Sequence, residues 1–154
     1  MQDCIFCLIL SGKLPASLVY RDERCAAFLD LYPVNPGHLL VVPIRHAANL
    51  AELDPEIGAH LFKTAQQLAA ALRLAAALRQ IGANPGSLRC EAINLFLADG
   101  EIAGQEIFHA HLHVLPRFKG DGFGLRLPPG YPSRQEREIL DQHAEVIRHA
   151  LQAD

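Results

Sequence analysis

The stretch HAHLHVLPR at residues 109–117 carries three histidines at alternate positions. Successive side chains of a β-strand point to opposite faces, so His109, His111 and His113 would share one face and the apolar residues between them the other. Because the apolar face belongs in a core, we expect the histidine face to look into solvent or into a cleft. Imidazoles placed there could bind a metal ion, bind an anion or attack a substrate.

A single metal ion held by all three histidines is disfavoured by the geometry of a strand. The Cα atoms of His109 and His113 would lie about 13 Å apart at roughly 3.3 Å per residue. Zinc–nitrogen bonds are only about 2.0–2.1 Å long, and strand side chains stand nearly perpendicular to the sheet. At most two of the three rings should therefore share one ion.

A nucleophilic role needs only one of the three rings at the reacting atom. A neutral imidazole attacks through one ring nitrogen when an acceptor holds the proton on the other, and histidine can form a covalent bond to phosphorus. The neighbouring imidazoles could bind phosphate oxygens or protonate the leaving group, and Arg117 could add positive charge. The pattern favours this role over an inert, solvated edge strand.

A second pair of chemically capable residues is Cys4-x-x-Cys7. Such a pair can chelate zinc or act as a redox dithiol. The redox alternative needs a strand directly before the motif, and the three residues that precede Cys4 leave no room for it. Cys25 and Cys90 lie in apolar stretches and are expected to be buried, and without a secretion signal a disulfide framework is disfavoured.

Length and composition predict one domain. The 154 residues are half hydrophobic and carry a formal net charge of −3, which disfavours a general nucleic-acid binder. No run of about 18 apolar residues indicates a membrane span, so we expect a cytoplasmic protein. We expect a single domain over 1–154, with its core at 4–118 and an extension carrying a helix at 119–154.

The periodicity of apolar residues predicts the elements that position these side chains. It favours strands at 17–23, 25–31, 37–43, 90–97 and 108–116. The last two strands would form a hairpin. Asp54 and Pro55 would begin a long amphipathic helix that ends at GANPG, residues 82–86, and Ser133 with Glu136 forms a capping box for a final helix. This order is typical of an α+β fold with a mostly antiparallel five-stranded sheet.

Together these motifs resemble the histidine triad (HIT) family. HAHLHVL fits the family pattern of alternating histidines followed by apolar residues, and the likeness continues through CIFC, FLDL, PGHLLVVP, the RH pair at 45–46, AGQ and the closing PR. It covers residues 4 to about 118 and is similar to the bacterial zinc-containing branch, near nucleoside phosphoramidases and dinucleoside polyphosphate hydrolases. The resemblance implies a HIT-like fold and a homodimer whose subunits each bind a nucleoside monophosphate group.

The resemblance also implies catalytic roles for three histidines. His111 would be the nucleophile that takes the nucleotidyl group. His113 would contact the phosphate or the leaving group, and His38 would polarise the histidine relay from the neighbouring strand.

Other matched positions imply a nucleotide-binding site, with a purine as the expected base. Asp30 would hold the ribose hydroxyls, and Gln105 would line a phosphate loop in which Gly104 lets the backbone approach the anion. The apolar base pocket would consist of Phe6, Ile9 and Leu31. Without the resemblance these three are ordinary core residues, Asp30 a turn or cap residue and Gln105 part of a hairpin turn.

Zinc is the cofactor that the resemblance implies. The matched ligands are Cys4, Cys7, His46 and His109, a Cys₂His₂ set of the kind that structural zinc prefers. His109 would then have no part in the chemistry. The alternative is two buried thiols with His46 on an exposed loop. The remaining histidines are expected to be solvated on helix surfaces: His60, His143 and His149.

Two positions depart from the family pattern. Ala98 stands where relatives often carry Asn or Gln to bond ribose or bridging oxygens. Glu106 stands where many carry Ser or Thr, so it could offer the phosphate only its backbone N–H, and its carboxylate would repel an anion. We therefore expect a hydrolase that cleaves a phosphoramidate or phosphoanhydride at the α-phosphate of a nucleotide. The alternatives are a dinucleoside polyphosphate hydrolase and a zinc-stabilised nucleotide-binding protein with little catalysis.

Overall fold

A computed structural model describes residues 4–80 and 88–152. Its strands are β1 (Leu18–Arg21), β2 (Cys25–Leu29), β3 (Leu39–Pro43), β4 (Ala92–Phe96) and β5 (Leu112–Arg117). They form one sheet in the order β1-β2-β3-β5-β4, and each neighbouring pair is antiparallel. The predicted α+β class with a five-stranded antiparallel sheet is confirmed.

The described helices are α1 (Ile5–Leu10), α2 (Pro55–Gln80) and α3 (Arg137–Leu151). The start of α2 is as predicted, because Asp54 Oδ1 accepts a hydrogen bond of 2.8 Å from the Glu56 N–H. The predicted end of α2 at 82–86 lies outside the described residues. The short helix α1 is not among the predicted elements. None of the helices in the described ranges has the length and apolar character needed to cross a membrane.

The last helix begins later than predicted. Glu136 is the N-cap residue of α3 and makes no side-chain capping bond, so the capping box expected from Ser133 and Glu136 is wrong. The described chain divides into two compact units between Gly122 and Phe123. The second unit carries α3, and no residue of that helix is buried.

The core of the first unit has two apolar clusters. One joins α2 to the sheet through residues such as Leu61, Val41 and Val114. The other packs Phe6 and Leu10 of α1 against the sheet. This is why the central strands β2 and β3 are almost continuously apolar, since their alternating side chains are buried in both directions.

The strand register brings the histidine segment beside β3. Leu40 pairs with His113, which in turn lies opposite Phe96 of β4. The expected hairpin is confirmed only as an antiparallel pair, because the connection from β4 to β5 runs from 97 to 111 and contains a 3₁₀ turn (Glu101–Ala103).

The expectation that all three histidines lie on one strand is wrong. β5 begins at Leu112, so His109 and His111 precede it. His109 is completely buried and His111 is nearly so, and of the two expected surroundings, solvent and a cleft, neither ring faces open solvent. The cause is tertiary, because the Ala110 N–H donates to Ala47 O in the loop after β3 and draws this segment away from a strand path.

Candidate functional site

Three histidines from two neighbouring strands meet beside the start of β5. His38 directly precedes β3 and is buried, and its Nε2 lies 2.8 Å from His113 Nδ1. The ring of His111 is centred 4.8 Å from that of His113. The structure therefore brings together the three residues that the sequence predicted as catalytic.

The ring of His111 is oriented by a backbone carbonyl and by an aromatic neighbour. Its Nδ1 lies 2.7 Å from His109 O, so Nδ1 carries the proton and donates it to that carbonyl. The Phe6 ring packs edge-on against the imidazole at a centroid distance of 5.2 Å. With hydrogen on Nδ1, the lone pair stands on Nε2, as a nucleophile requires.

A carboxylate extends the histidine group on the far side of His38. Asp30 Oδ2 lies 3.3 Å from His38 Nδ1, while Asp30 Oδ1 accepts a bond of 2.9 Å from the Tyr32 N–H. The Val34 N–H also donates to His38 Nδ1, at 3.3 Å. Asp30, His38 and His113 thus lie in a continuous row, joined by an ion-pair contact at Asp30 and by a hydrogen bond between the two imidazoles, which we call the relay.

Burial favours the neutral form of both imidazoles in the relay. It is the largest cause that lowers the pKa of His38, an effect that Asp30 opposes. The pKa of His113 falls to about 4, because burial and the neighbouring His111 and His38 disfavour its charged form. Proton transfer in the relay is therefore governed by which ring nitrogen carries hydrogen.

A separate cluster of thiols and imidazoles lies where α1 meets the segment before β5. The ligand atoms of Cys4, Cys7, His46 and His109 all lie within 4.8 Å of one another. His109 Nδ1 lies 3.5 Å from Cys4 Sγ, and His46 Nδ1 lies 3.4 Å from Cys7 Sγ. The four residues predicted as metal ligands are therefore gathered in one place.

The chemistry of this donor set fits zinc. Two sulfurs and two imidazole nitrogens form the closed tetrahedral set of a structural zinc site. His109 Nε2 donates to Pro43 O at 3.0 Å, which leaves the lone pair on Nδ1 and points it at the two thiols. Such a carbonyl partner is the usual way in which a metal-binding histidine is held in the correct tautomer.

The three predicted base-pocket residues differ in exposure. Phe6 is buried, and it packs against Phe28 and against the rings of His109 and His111. Ile9 packs against the same apolar cluster and is partly buried. Leu31 is 82% exposed, so it offers the largest apolar surface of the three to a ligand.

Gln105 is buried, and its side chain is fully engaged with the backbone. Its Oε1 accepts from the Gly100 N–H at 2.8 Å, and its Nε2 donates to Ala48 O at 2.7 Å and to Ile107 O at 3.1 Å. The side chain therefore shapes the loop and has no amide hydrogen left for a phosphate. Its neighbour Glu106 is exposed.

Ala98 is buried, and Gly104 adopts a φ of +91°, a conformation that favours glycine.

The expectation that His60 is solvated is wrong. Its Nε2 lies 2.6 Å from Asp22 Oδ2, and the ring is mostly buried. Asp22 also accepts bonds from the Tyr20 hydroxyl and from backbone N–H groups, and these bonds lower its pKa against the effect of burial. The pair fastens the β1–β2 turn to α2. On α3, His143 and His149 are exposed as predicted.

Sequence reasoning did not find two further contacts. The first is the contact of Asp30 with His38. Because Leu29 pairs with Leu39, Asp30, which follows β2, and His38, which precedes β3, lie beside each other. The predicted pairing of these two strands could have revealed this contact. The second is buried Asn35, whose side chain donates to Pro116 O at 2.9 Å.

Among the cysteines, Cys25 is buried as expected, whereas Cys90 is only partly buried.

Comparison with known proteins identifies the family that this chain resembles and several similar proteins. Residues 11–120 match the HIT domain family. An uncharacterized HIT-like protein of Borreliella burgdorferi is 40% identical over 126 residues, which are 82% of this chain and 84% of that protein.

A crystal structure of a Zn-bound histidine triad family protein from Mycobacterium smegmatis matches with a TM-score of 0.65 and 37% identity, covering 83% of this chain and 84% of that one. Adenylylsulfatase HINT3 of Arabidopsis thaliana is 30% identical over 153 residues, which are 99% of this chain and 63% of that protein.

Proposed function

Since the chain belongs to the histidine triad (HIT) family, we propose that it cleaves a phosphoramidate or phosphoanhydride at the α-phosphate of a nucleotide and releases a nucleoside monophosphate. The observation that carries this proposal is the hydrogen bond from His111 Nδ1 to His109 O, which leaves the Nε2 lone pair free beside the relay. The arrangement supports nucleophilic attack by an imidazole.

The proposed reaction has two displacement steps at phosphorus. His111 Nε2 attacks the α-phosphorus beside His113, the bond to the leaving group breaks, and a leaving group that needs a proton takes it from solvent. The positive charge that develops on the His111 ring is stabilised by the carbonyl of His109, which accepts its Nδ1–H. Water then attacks the phosphorus, passes a proton to His113 Nε2, and the bond to His111 breaks.

The proposed nucleotide site lies around these reacting groups. Asp30 would hold the ribose hydroxyls and exposed Leu31 would cover the base, which we expect to be a purine. Phe6 and Ile9 would support that surface from beneath. Gln105 would hold the loop that presents the backbone N–H of Glu106 to the phosphate.

Zinc would be held by the Cys₂His₂ cluster as a structural ion. Bound there, it supplies a cross-link that joins α1 to the segment before β5 and no acid–base chemistry. The support is the gathered donor set and the carbonyl partner of His109. A homodimer, a single domain over 1–154 and a cytoplasmic location remain predictions from the sequence.

Adenylyl sulfate is a second candidate substrate, favoured by the likeness to the Arabidopsis adenylylsulfatase. Its leaving group is sulfate, which departs without a proton. The same attack by His111 would release AMP from either compound, so comparing the two rates identifies the preferred leaving group.

The test is AMP release from adenosine 5′-phosphoramidate by the wild type and by His111→Ala. We expect turnover that falls by a factor on the order of 10³ or more in the variant. His143→Ala on exposed α3 is the matched control and should turn over normally. A zinc-loaded, folded wild type without turnover on either substrate, or a fully active His111→Ala, would refute the proposal.

A further inference from the structure

We infer that Asp30 is a positioning residue for proton transfer as well as a ribose ligand. Through His38 it sets which nitrogen of His113 carries hydrogen, so that His113 Nε2 can accept the proton of the attacking water. The inference rests on the proposed function and identifies the step, hydrolysis of the nucleotidyl-His111 intermediate, that depends on this carboxylate.

The backbone fixes the orientation of the Asp30 carboxylate. Oδ1 is held as an acceptor by the Tyr32 N–H at 2.9 Å, and this leaves Oδ2 directed at His38 Nδ1 at 3.3 Å. Because a carboxylate oxygen can only accept, it favours the His38 tautomer with hydrogen on Nδ1.

His38 Nδ1 has a second partner, which favours the opposite tautomer. The Val34 N–H donates to His38 Nδ1 at 3.3 Å, which requires that nitrogen to be bare. The contact with Asp30 is an ion-pair contact, and the negative charge of the carboxylate favours hydrogen on the nitrogen that faces it. Asp30 is largely shielded from solvent and His38 is buried, so we expect this charge to outweigh the hydrogen bond from the Val34 amide.

The choice at His38 is transmitted to His113 through their shared bond of 2.8 Å. With hydrogen on Nδ1, His38 Nε2 accepts from His113 Nδ1–H, and the His113 lone pair stands on Nε2. With the opposite tautomer, His38 Nε2–H donates to His113 Nδ1, and His113 Nε2 carries hydrogen. Only the first arrangement lets neutral His113 take a proton from water.

Asp30→Asn converts one arrangement into the other. The carbonyl of the introduced side-chain amide keeps the bond to the Tyr32 N–H, so the amide nitrogen takes the place of Oδ2 and donates to His38 Nδ1. Water attack on the intermediate then lacks its proton acceptor. In that step an oxygen–phosphorus bond forms, the bond from phosphorus to His111 Nε2 breaks, and the water proton has no place on His113.

The first measurement reads the tautomers directly and needs no turnover. Nitrogen-15 NMR of imidazole-labelled, zinc-loaded protein should show hydrogen on Nδ1 of both His38 and His113 in the wild type, and on Nε2 of both in Asp30→Asn. Identical tautomers in the two proteins would overturn the inference even if the enzyme is active. Asp54→Asn, at the start of α2, is the control for loss of one carboxylate and should leave both rings unchanged.

The second measurement separates the two roles of Asp30. With adenosine 5′-phosphoramidate, Asp30→Asn should accumulate a covalent adenylyl-enzyme, seen by mass spectrometry, and kcat should fall by about 10²–10⁴-fold, the usual contribution of general acid–base catalysis. The same accumulation is expected with the 2′,3′-dideoxy analogue, which has no ribose hydroxyls to lose. A defect confined to KM, or one that vanishes with the dideoxy analogue, would overturn the inference and leave only a ribose contact.

Discussion

Replacing Gln105 with Met tests whether this residue shapes the phosphate loop or touches the phosphate. The substitution keeps most of the side-chain volume and removes three hydrogen bonds to the backbone, at Gly100, Ala48 and Ile107. Each such bond contributes about 0.5–1.5 kcal/mol net, and a buried group left without a partner costs about 1–3 kcal/mol. We expect the free energy of unfolding to fall by about 2–4 kcal/mol.

Urea unfolding of the zinc-loaded protein measures this loss, and the melting temperature should fall by roughly 5–15 °C at about 2–4 °C per kcal/mol. Amide hydrogen exchange should locate the damage at Gly100, whose N–H loses its acceptor. A Met variant that unfolds within about 0.5 kcal/mol of wild type but binds nucleotide weakly would refute the reasoning, since that pattern belongs to a direct phosphate contact.

The other predictions concern zinc, acid and the turn at β1–β2. Elemental analysis of Cys7→Ser should find only a small fraction of the one equivalent of zinc expected in the wild type. The two imidazoles and one thiolate that remain do not complete a tetrahedral ligand set. The control variant Cys90→Ser should retain the metal. His113 has a folded pKa of about 4, below its unfolded value of about 6.5, so the unfolded chain binds more protons between these pH values. Stability should be full above pH 6.5 and fall by no more than about 3 kcal/mol as the pH drops to 4, and His113→Gln should flatten that part of the curve in urea titrations. His60→Ala should cost about 1–3 kcal/mol by leaving part of the Asp22 carboxylate unpaired; an unchanged urea midpoint would mean that this pair is not stabilising.

The fold was predictable from the sequence where one signal decides the local structure. β2 and β3 are short apolar runs bounded by turn residues, and α2 begins at an Asp-Pro pair, so local chemistry and tertiary packing agree. α1 was missed because its six residues, IFCLIL, follow an N-cap residue, Cys4, that makes no side-chain capping bond, and because the helix is held by burial of Phe6 and Leu10. The capping box at Ser133 failed because sequence spacing allows such a cap without requiring it.

The side chains that the structure brings together were predictable as a set, but their geometry was less so. An alternating pattern placed His109 on the strand, and in the structure it lies in a bend, where the Ala110 N–H bonds Ala47 O and where Pro43 O and two thiols contact the His109 ring. The hydrogen bonds of Gln105 could not be predicted for a related reason. Its partners lie in the backbone of two loops, and no spacing rule in the sequence reveals them.

The hydrogen-bonding partners of these imidazoles divide them into two groups, and the division explains why we expect one carboxylate to have a large effect. His109 and His111 each donate to a backbone carbonyl, so the position of their hydrogen is fixed by the fold. His38 and His113 are instead bonded to each other, so the tautomer of one ring sets whether the other donates or accepts in their shared hydrogen bond. The tautomer of that pair follows its outside partners at His38 Nδ1, a carboxylate and a backbone amide at the same 3.3 Å. The proposed nucleophile, His111, needs a fixed lone pair, whereas the proposed proton carrier, His113, needs an adjustable one, and the two kinds of partner match these two demands.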